Sequence, residues 1–155
     1  MAVLQKDYCR LEIRPNGFYY VEAHETQEFY YDIVPENDAG LMIRPQPGLM
    51  AADIRGFDCK LHDDTISSVL LEALANNREG SVDDIANGGF EMTFMPLQWR
   101  DTHDDWLIGI ELGGRYFGAW GTYLSCKLEI PATKEELLEF AYALQQEEAE
   151  MVAAV

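Results

Sequence analysis

The sequence predicts an α+β fold in which a mostly antiparallel sheet of about six to eight strands packs with two helices, at about 65–77 and 133–150. Several segments alternate apolar and polar residues, which is typical of half-buried strands, and two segments repeat apolar residues at helical spacing. Strands and helices do not alternate regularly, as they do in parallel βαβ proteins. A chain of 155 residues is near the usual size of one domain, so 1–155 is predicted to be a single domain.

The first predicted elements are strands. Residues 8–34 alternate in character and predict two or three strands in a meander, with Pro15-Asn16-Gly17 as a turn. Turn-forming residues interrupt the pattern from Pro35 to Gly40 and again from Pro45 to Gly48. The next strand is predicted to end in the alternating register of Phe57, Cys59 and Leu61.

A helix is predicted over 65–77, because its apolar residues recur every three or four positions. Its cap oxygen is expected from Asp63, Asp64 or Thr65. Its stop signals are Asn76, Asn77 and Gly80.

The segment between the helices predicts a polar loop from Gly80 to Gly89, followed by strands at 90–100 and from Trp106 to Leu112. An acidic loop, Asp101 to Asp105, joins these two strands. Gly113-Gly114 predicts a tight hairpin in which Leu112 pairs with Arg115. With that pairing, Ile110 and Phe117 share one face of the sheet, whereas the later apolar run from Leu124 to Ile130 has the opposite parity. A bulge near Gly118 or Gly121 is therefore expected to bring that run to the same face.

The last helix is predicted from a capping box, Thr133 to Glu136, that follows Pro131. The tail from Met151 to Val155 is predicted to fray. The apolar face of this helix is formed by Leu137, Phe140, Ala141 and Leu144. Its acidic face and its end are formed by Glu135, Glu139, Glu147, Glu148 and Glu150.

The charge of the chain predicts the class of its partner. The net charge is −17, from 28 acidic and 11 basic residues, and residues 61–155 hold 18 of the acids but 5 of the bases. Such a charge speeds encounter with cationic surfaces and repels nucleic acids and anionic membranes. We therefore expect a basic protein partner, with no direct binding to nucleic acid or membrane. Acidity that serves solubility alone is the alternative, and a homo-oligomer is left open.

The sequence contains no run of 18 apolar residues and no apolar stretch near its start, so we expect a cytoplasmic protein without a signal peptide or membrane span. Its three cysteines are far apart and form no Cys-x-x-Cys motif. Each lies in an alternating apolar register, which predicts small buried side chains, with a reactive thiol or a disulfide as the alternatives. They are Cys9, Cys59 and Cys126.

No catalytic motif accompanies the acidic residues. The serines lack the Gly-x-Ser-x-Gly pattern of hydrolases, and no glycine-rich phosphate loop is present. Two His-Asp-Asp segments, His62-Asp63-Asp64 and His103-Asp104-Asp105, carry ligand types that divalent metals accept, but such residues are also favoured in turns and caps. We expect no enzyme, cofactor or metal. A metal-dependent enzyme that uses both segments is the alternative.

Acidic and aromatic residues are therefore the candidates for partner binding, since interfaces are enriched in Tyr and Trp. In each adjacent tyrosine pair, Tyr19-Tyr20 and Tyr30-Tyr31, one ring is predicted to be buried and the other more exposed. The predicted partner-binding residues are Asp101, Asp104, Asp105 and Trp106, followed by Asp83 and Asp84. A competing patch consists of Glu22, Glu25, Glu28, Asp32, Glu36 and Asp38, and further candidate anchors are Trp99, Trp120 and Tyr123.

The second half of the chain resembles bacterial toxin-immunity proteins, the small inhibitors encoded beside contact-dependent or related polymorphic toxins. The resemblance lies in a strand pair, 106–112 and 116–130, followed by the helix at 137–144. It contains no diagnostic motif, and it transfers no functional residue. It implies an acidic surface that occludes a basic toxin, such as a nuclease. A phage-type inhibitor that mimics the charge of DNA and blocks a host nucleic-acid enzyme is the alternative.

Overall fold

The computed structural model contains two four-stranded antiparallel sheets and two helices, and it describes residues 1–6, 9–23, 25–37, 57–62, 64–83, 90–99, 102–113 and 125–154. The elements are β1 (Ala2–Gln5), β2 (Cys9–Val21), β3 (Thr26–Asn37), β4 (Phe57–His62), α1 (Ile66–Asn76), β5 (Gly80–Asp83), β6 (Phe90–Trp99), β7 (Thr102–Gly113), β8 (Ser125–Thr133) and α2 (Lys134–Ala153). The predicted α+β class is confirmed, although the strands form two sheets rather than one.

Each sheet follows the order of the chain. Sheet A has the order β1-β2-β3-β4 and precedes α1, and sheet B has the order β5-β6-β7-β8 and precedes α2. Each helix contacts the sheet that it does not follow directly in the chain: α1 packs on β5 of sheet B, and α2 packs on β1 and β2 of sheet A. The two helices also contact each other. One hydrophobic core cluster contains residues from both sheets and both helices. Tyr31 is buried and Tyr30 half-buried, as predicted, but Tyr19 and Tyr20 are both exposed, so the burial predicted for one ring of that pair is wrong.

Strand β2 runs without interruption through Pro15, Asn16 and Gly17, so the predicted turn at these residues is wrong. The register of its pairing with β3 shifts between Pro15 and Gly17, which marks a β-bulge. A Cβ atom at Gly17 would lie 3.1 Å from Tyr19 Cε2, so the bulge uses a residue without a side chain. Turn-forming residues here bend a strand rather than end it.

Strand β3 also continues beyond its predicted end, through Pro35 to Asn37. Its pairing with β2 extends to Cys9, whereas β4 pairs with it only as far as Ile33. Because Pro35 has one described neighbouring strand, the sheet tolerates its missing N–H group.

Parts of two predicted loops of sheet B belong to strands in the structure. Residues Gly80–Asp83 form β5 and pair with β6, so the loop predicted from Gly80 begins too early. Strand β7 begins at Thr102 rather than at Trp106. Asp105 pairs with Leu97 on one side and Thr133 on the other, and this double pairing keeps the acidic segment extended.

The predicted pairing of Leu112 with Arg115 is wrong. The Cα partners of Leu112 are Phe90 on β6 and Cys126 on β8. Ile110 lies opposite Leu128, so the apolar run of β8 needs no change of face. Arg115, Gly118 and Gly121 lie outside the described residues.

Both predicted helix starts are confirmed. Thr65 caps α1 and Thr133 caps α2, each through a reciprocal capping box, and Asn77 ends α1 in the left-handed conformation. Helix α2 extends to Ala153, beyond its predicted end at about residue 150. No helix in the described ranges is long and apolar enough to cross a membrane.

Ion pairs bind β1 to α2. The Met1 ammonium lies 2.9 Å from Glu147, and Lys6 Nζ lies 2.7 Å from Glu136 Oε1. The hydrogen bond from Lys6 lowers the pKa of Glu136, and the hydrogen bond and charge of Glu147 raise the pKa of the terminal amine. These contacts hold both ends of β1 against α2.

Candidate functional site

Sheet B carries more negative charge on its strands than sheet A. Its four strands carry six acidic residues and one basic residue, Lys127, whereas the strands of sheet A carry five acidic and three basic residues. Met92, Phe94, Ile108 and Ile110 point into the core, so the residues that alternate with them form the outer face.

Three carboxylates form a row across this outer face. Asp83 on β5 lies opposite Glu91 on β6, and Glu91 lies opposite Glu111 on β7. All three side chains are exposed. Strands are about 4.8 Å apart, so the row spans about 10 Å. We call Asp83, Glu91 and Glu111 the acidic row.

The acidic row has no internal counterion among the described side chains, because none of its members forms an ion pair or hydrogen bond with them. Like charges directly opposite each other on neighbouring strands destabilise a sheet. Glu111 also has Lys127 as its Cα partner on β8, although the side chain of Lys127 is outside the described residues. Asp83 and Glu91, which face other carboxylates, are therefore the residues whose repulsion a bound cation would relieve most.

Apolar residues lie beside the acidic row on the same face. Met95 lies opposite Leu107, and Leu97 lies opposite Asp105. The three apolar side chains are half-buried and are not part of the core cluster, while Asp105 is exposed. Glu111 and Asp105 are six residues apart on β7, or about 20 Å. An apolar centre between carboxylates matches the composition of protein interfaces.

The structure separates the predicted partner-binding residues. Asp83 belongs to the acidic row, and Asp105 lies at the other end of the same face. Trp106 is 0% exposed, and its indole Nε1 is buried without a hydrogen-bond partner among the described atoms, so its ring is not on the surface. Asp84 and Asp101 lie outside the described residues. Asp104 belongs to β7, but its side chain is also outside them.

The competing acidic patch is paired in part: two of its members accept hydrogen bonds within sheet A, whereas Glu22 and Glu25 are exposed between β2 and β3. Glu28 accepts a hydrogen bond from Tyr30 Oη at 3.2 Å, and Asp32 accepts one from Asn16 Nδ2 at 2.7 Å. On the neighbouring strand Glu12 pairs with two arginines. Asp38 and the side chain of Glu36 lie outside the described residues. The described carboxylates on the strands of sheet A are therefore paired, unlike those of the acidic row.

Glu148 is the one acidic residue of the predicted tail that the structure buries in the core region. It is 4% exposed, and its Oε2 accepts hydrogen bonds from Tyr31 Oη at 3.0 Å and Ser67 Oγ at 3.2 Å. Tyr31 Oη in turn accepts a hydrogen bond from the Ile66 N–H at the start of α1. Burial raises the pKa of Glu148, and the hydrogen bonds oppose that rise. This cluster joins β3, α1 and α2.

The two His-Asp-Asp segments belong to different sheets. His62 ends β4, and His103 to Asp105 lie on β7. Asp63 and the side chains of His62, His103 and Asp104 are outside the described residues. Within the ranges that are described, no group of three or more His, Cys, Asp or Glu residues is arranged to hold a metal ion.

Replacing Glu91 by Gln is expected to stabilise the protein. Glu91 is the middle residue of the acidic row, so its neutralisation removes both like-charge contacts, each worth about 0.2–1 kcal/mol. Urea unfolding at low and high salt measures the gain, which should shrink as salt screens the charges. Glu72→Gln, on the exposed side of α1, is the matched control. An equal gain in both variants would assign the effect to net charge and not to the row.

No protein-family model matches the chain, and no curated protein matches it. Among solved structures, that of the plant transcriptional regulator PBF-2 is similar, with a TM-score of 0.45 and 11% sequence identity over 92% of this chain and 76% of that chain. At that score the likeness carries no argument about function.

Proposed function

We propose that this chain is a small acidic binding protein that neutralises a basic protein partner, as an immunity protein neutralises a toxin, and that the outer face of sheet B is its contact surface. The unpaired acidic row is the observation that carries the proposal. Lysine or arginine residues of a partner would supply the counterions that the described residues do not.

Binding on this face would be physical and would need no turnover. The net charge of −17 would steer a cationic partner toward the protein. Met95, Leu97 and Leu107 would lose their remaining exposure, and the acidic row would pair with basic groups at the edge of the contact. If these groups hold phosphates in the partner, as in a nuclease, the bound protein would block entry of the substrate.

Capture from a lysate of the source organism tests the proposal. The tagged chain is immobilised at low salt and bound proteins are eluted by a salt gradient and identified by mass spectrometry. The matched bait carries Asp83→Lys, Glu91→Lys and Glu111→Lys. We expect one basic protein, retained in stoichiometric amount by the natural chain, released by salt and lost from the variant.

The activity of the captured protein then decides its class. Inhibition of a toxin by the added chain supports the immunity role, whereas inhibition of a host nucleic-acid enzyme supports a DNA mimic. Recovery of the bait alone, or equal retention by both baits, contradicts binding through the acidic row. In that case the charge serves solubility.

A further inference from the structure

Apolar side chains cross the outer face of sheet B in a second row, parallel to the acidic row. Met95 on β6 lies opposite Leu107 on β7, and Leu107 lies opposite Pro131 on β8. Met95 and Leu107 are half-buried and Pro131 is exposed. We call Met95, Leu107 and Pro131 the apolar wall.

Short side chains separate the apolar wall from the acidic row. Ser81 on β5 lies opposite Thr93 on β6, and Thr93 lies opposite Gly109 on β7. Because Gly109 has no side chain, the surface is lowest there. We call the space between the apolar wall and the acidic row the trough, with Ser81, Thr93 and Gly109 as its floor.

The trough has the width of one helix. Glu91 in the acidic row and Met95 in the apolar wall are four residues apart on β6, or about 13 Å. An α-helix with its side chains is about 10–12 Å across. The short side chains of the floor allow such a helix to lie between the two rows.

The spacing along the trough also matches a helix. Each row takes one residue from each strand, so its members follow one another at about 4.8 Å across the sheet. Residues three or four positions apart on one side of a helix are separated by about 4.5–6 Å along its axis. A helix that lies across the strands would therefore present one side chain to each strand of each row.

Charge decides which helix fits. Glu91 has carboxylates opposite it on both neighbouring strands, and neither Glu91 nor Asp83 forms an ion pair with the described side chains. Glu111 is less suited to bind a cation, because Lys127 is its Cα partner on β8. The helices of a second copy would be repelled, because the exposed sides of α1 and α2 carry acidic residues, including Glu72 and Glu139. A helix with basic residues would be attracted.

We propose that the trough binds an amphipathic helix of the basic partner. Lysine or arginine residues along one side of the helix would face Asp83 and Glu91, and apolar residues along the neighbouring side would face Met95 and Leu107. The two stripes of the helix would be about 100° apart, the angle between successive helical residues. The inference rests on the proposed function for the existence of the partner, and it adds the form of the element that the partner presents.

The experiment uses a synthetic peptide as the probe. It is an alanine-based helix of about 18 residues with arginines at i, i+4 and i+7 and a leucine directly after each arginine. In one control peptide each leucine stands two positions after its arginine, which moves the apolar stripe to the opposite side of the helix. In the other control glutamate replaces arginine.

Methionine methyl resonances of the full chain are followed by NMR at low salt during each titration. We expect the probe to shift the Met95 methyl resonance saturably, because this side chain forms part of the apolar wall. Neither control peptide should do so. Met151, which is half-buried on α2, should remain unchanged with all three peptides.

A variant that fills the trough tests the geometry. Thr93→Tyr places a large ring on the floor and is expected to weaken binding of the probe about tenfold or more, because the helix loses its place between the two rows. Tyrosine is favoured in strands and Thr93 is half-buried, so the fold should accept it. Gln145→Tyr adds the same ring to the exposed side of α2 and should leave binding unchanged.

The inference is overturned by an absent shift of Met95, by an equal shift with the displaced leucines, or by equal binding of the probe to Thr93→Tyr and the natural chain. It is also overturned if a captured partner is lost from the lysine variant of the acidic row but fully retained by Thr93→Tyr, and the proposed function then stands. Failed capture by the natural chain, with an intact response to the probe, contradicts the proposed function alone.

Discussion

Reversing the charge of the acidic row, with Asp83, Glu91 and Glu111 all replaced by lysine, is expected to slow association with the basic partner about 10- to 100-fold at low salt. Electrostatic steering acts before the surfaces touch, so the effect should fall on the association rate more than on dissociation. Stopped-flow mixing at low and high salt measures it. The salt dependence of the association rate should also become weaker in the variant.

The comparison needs variants with the same change in net charge. Asp101, Asp104 and Asp105 replaced by lysine test the other predicted patch, and Glu135, Glu139 and Glu150 replaced by lysine test the exposed side of α2. If all three variants associate equally slowly, the total charge steers the partner, and the acidic row contributes no more to the association rate than other carboxylates do. If the variant of 101, 104 and 105 alone is unchanged at low salt, that patch is removed from consideration.

Removing the carboxyl group of Glu148 is expected to cost about 2–4 kcal/mol of stability. Glu148→Ala leaves the hydroxyls of Tyr31 and Ser67 without their acceptor and opens a space between α1, α2 and β3. Glu148→Gln keeps an acceptor oxygen in place and should lose much less. Urea unfolding of both variants measures the difference.

The pH dependence of this difference has a definite sign. Burial raises the pKa of Glu148 above its ordinary value of 4.5, so the folded state binds its proton more tightly than the unfolded state. The resulting stability is present below pH 4.5 and is lost as the pH rises through the folded-state pKa. Glutamine does not titrate, so Glu148→Gln should gain on the natural protein as the pH rises.

Glu150→Gln, two residues further along α2 and exposed, removes one carboxylate without touching the buried cluster and is the matched control. It thereby separates the buried carboxylate from the general repulsion among the acidic residues. A constant difference between the natural protein and Glu148→Gln from pH 4 to pH 8 would show that Glu148 titrates alike in both states.

Local signals predicted the class of the fold and both helices, because helix caps depend on a few neighbouring residues. Thr65 and Thr133 lie where the capping boxes placed them. The turn predicted at Gly17 and the loop predicted from Gly80 were wrong, because glycine and proline are accepted at a bulge or at the start of a strand as well as in a turn. The burial of Glu148 had a signal in the sequence: it follows Leu144 by four residues, on the same side of α2 as Phe140 and Leu137.

The acidic row could not be predicted in the same way. Asp83, Glu91 and Glu111 come from three strands, and only the register of β5, β6 and β7 brings them together. A register one residue different would move Glu91 to the opposite face. The sequence therefore predicted the charge of the surface but not its arrangement.

The packing of α2 on sheet A has a consequence for synthesis of the protein. Sheet A leaves the ribosome first, yet the side chains of α2 that cover β1 and β2 are made after all of sheet B. Contacts between residues so distant in sequence form slowly. The apolar surface of β1 and β2 therefore stays exposed until α2 has been made, and during that time chaperones and unwanted partners can bind to it. Final assembly of the two halves therefore requires the emergence of α2.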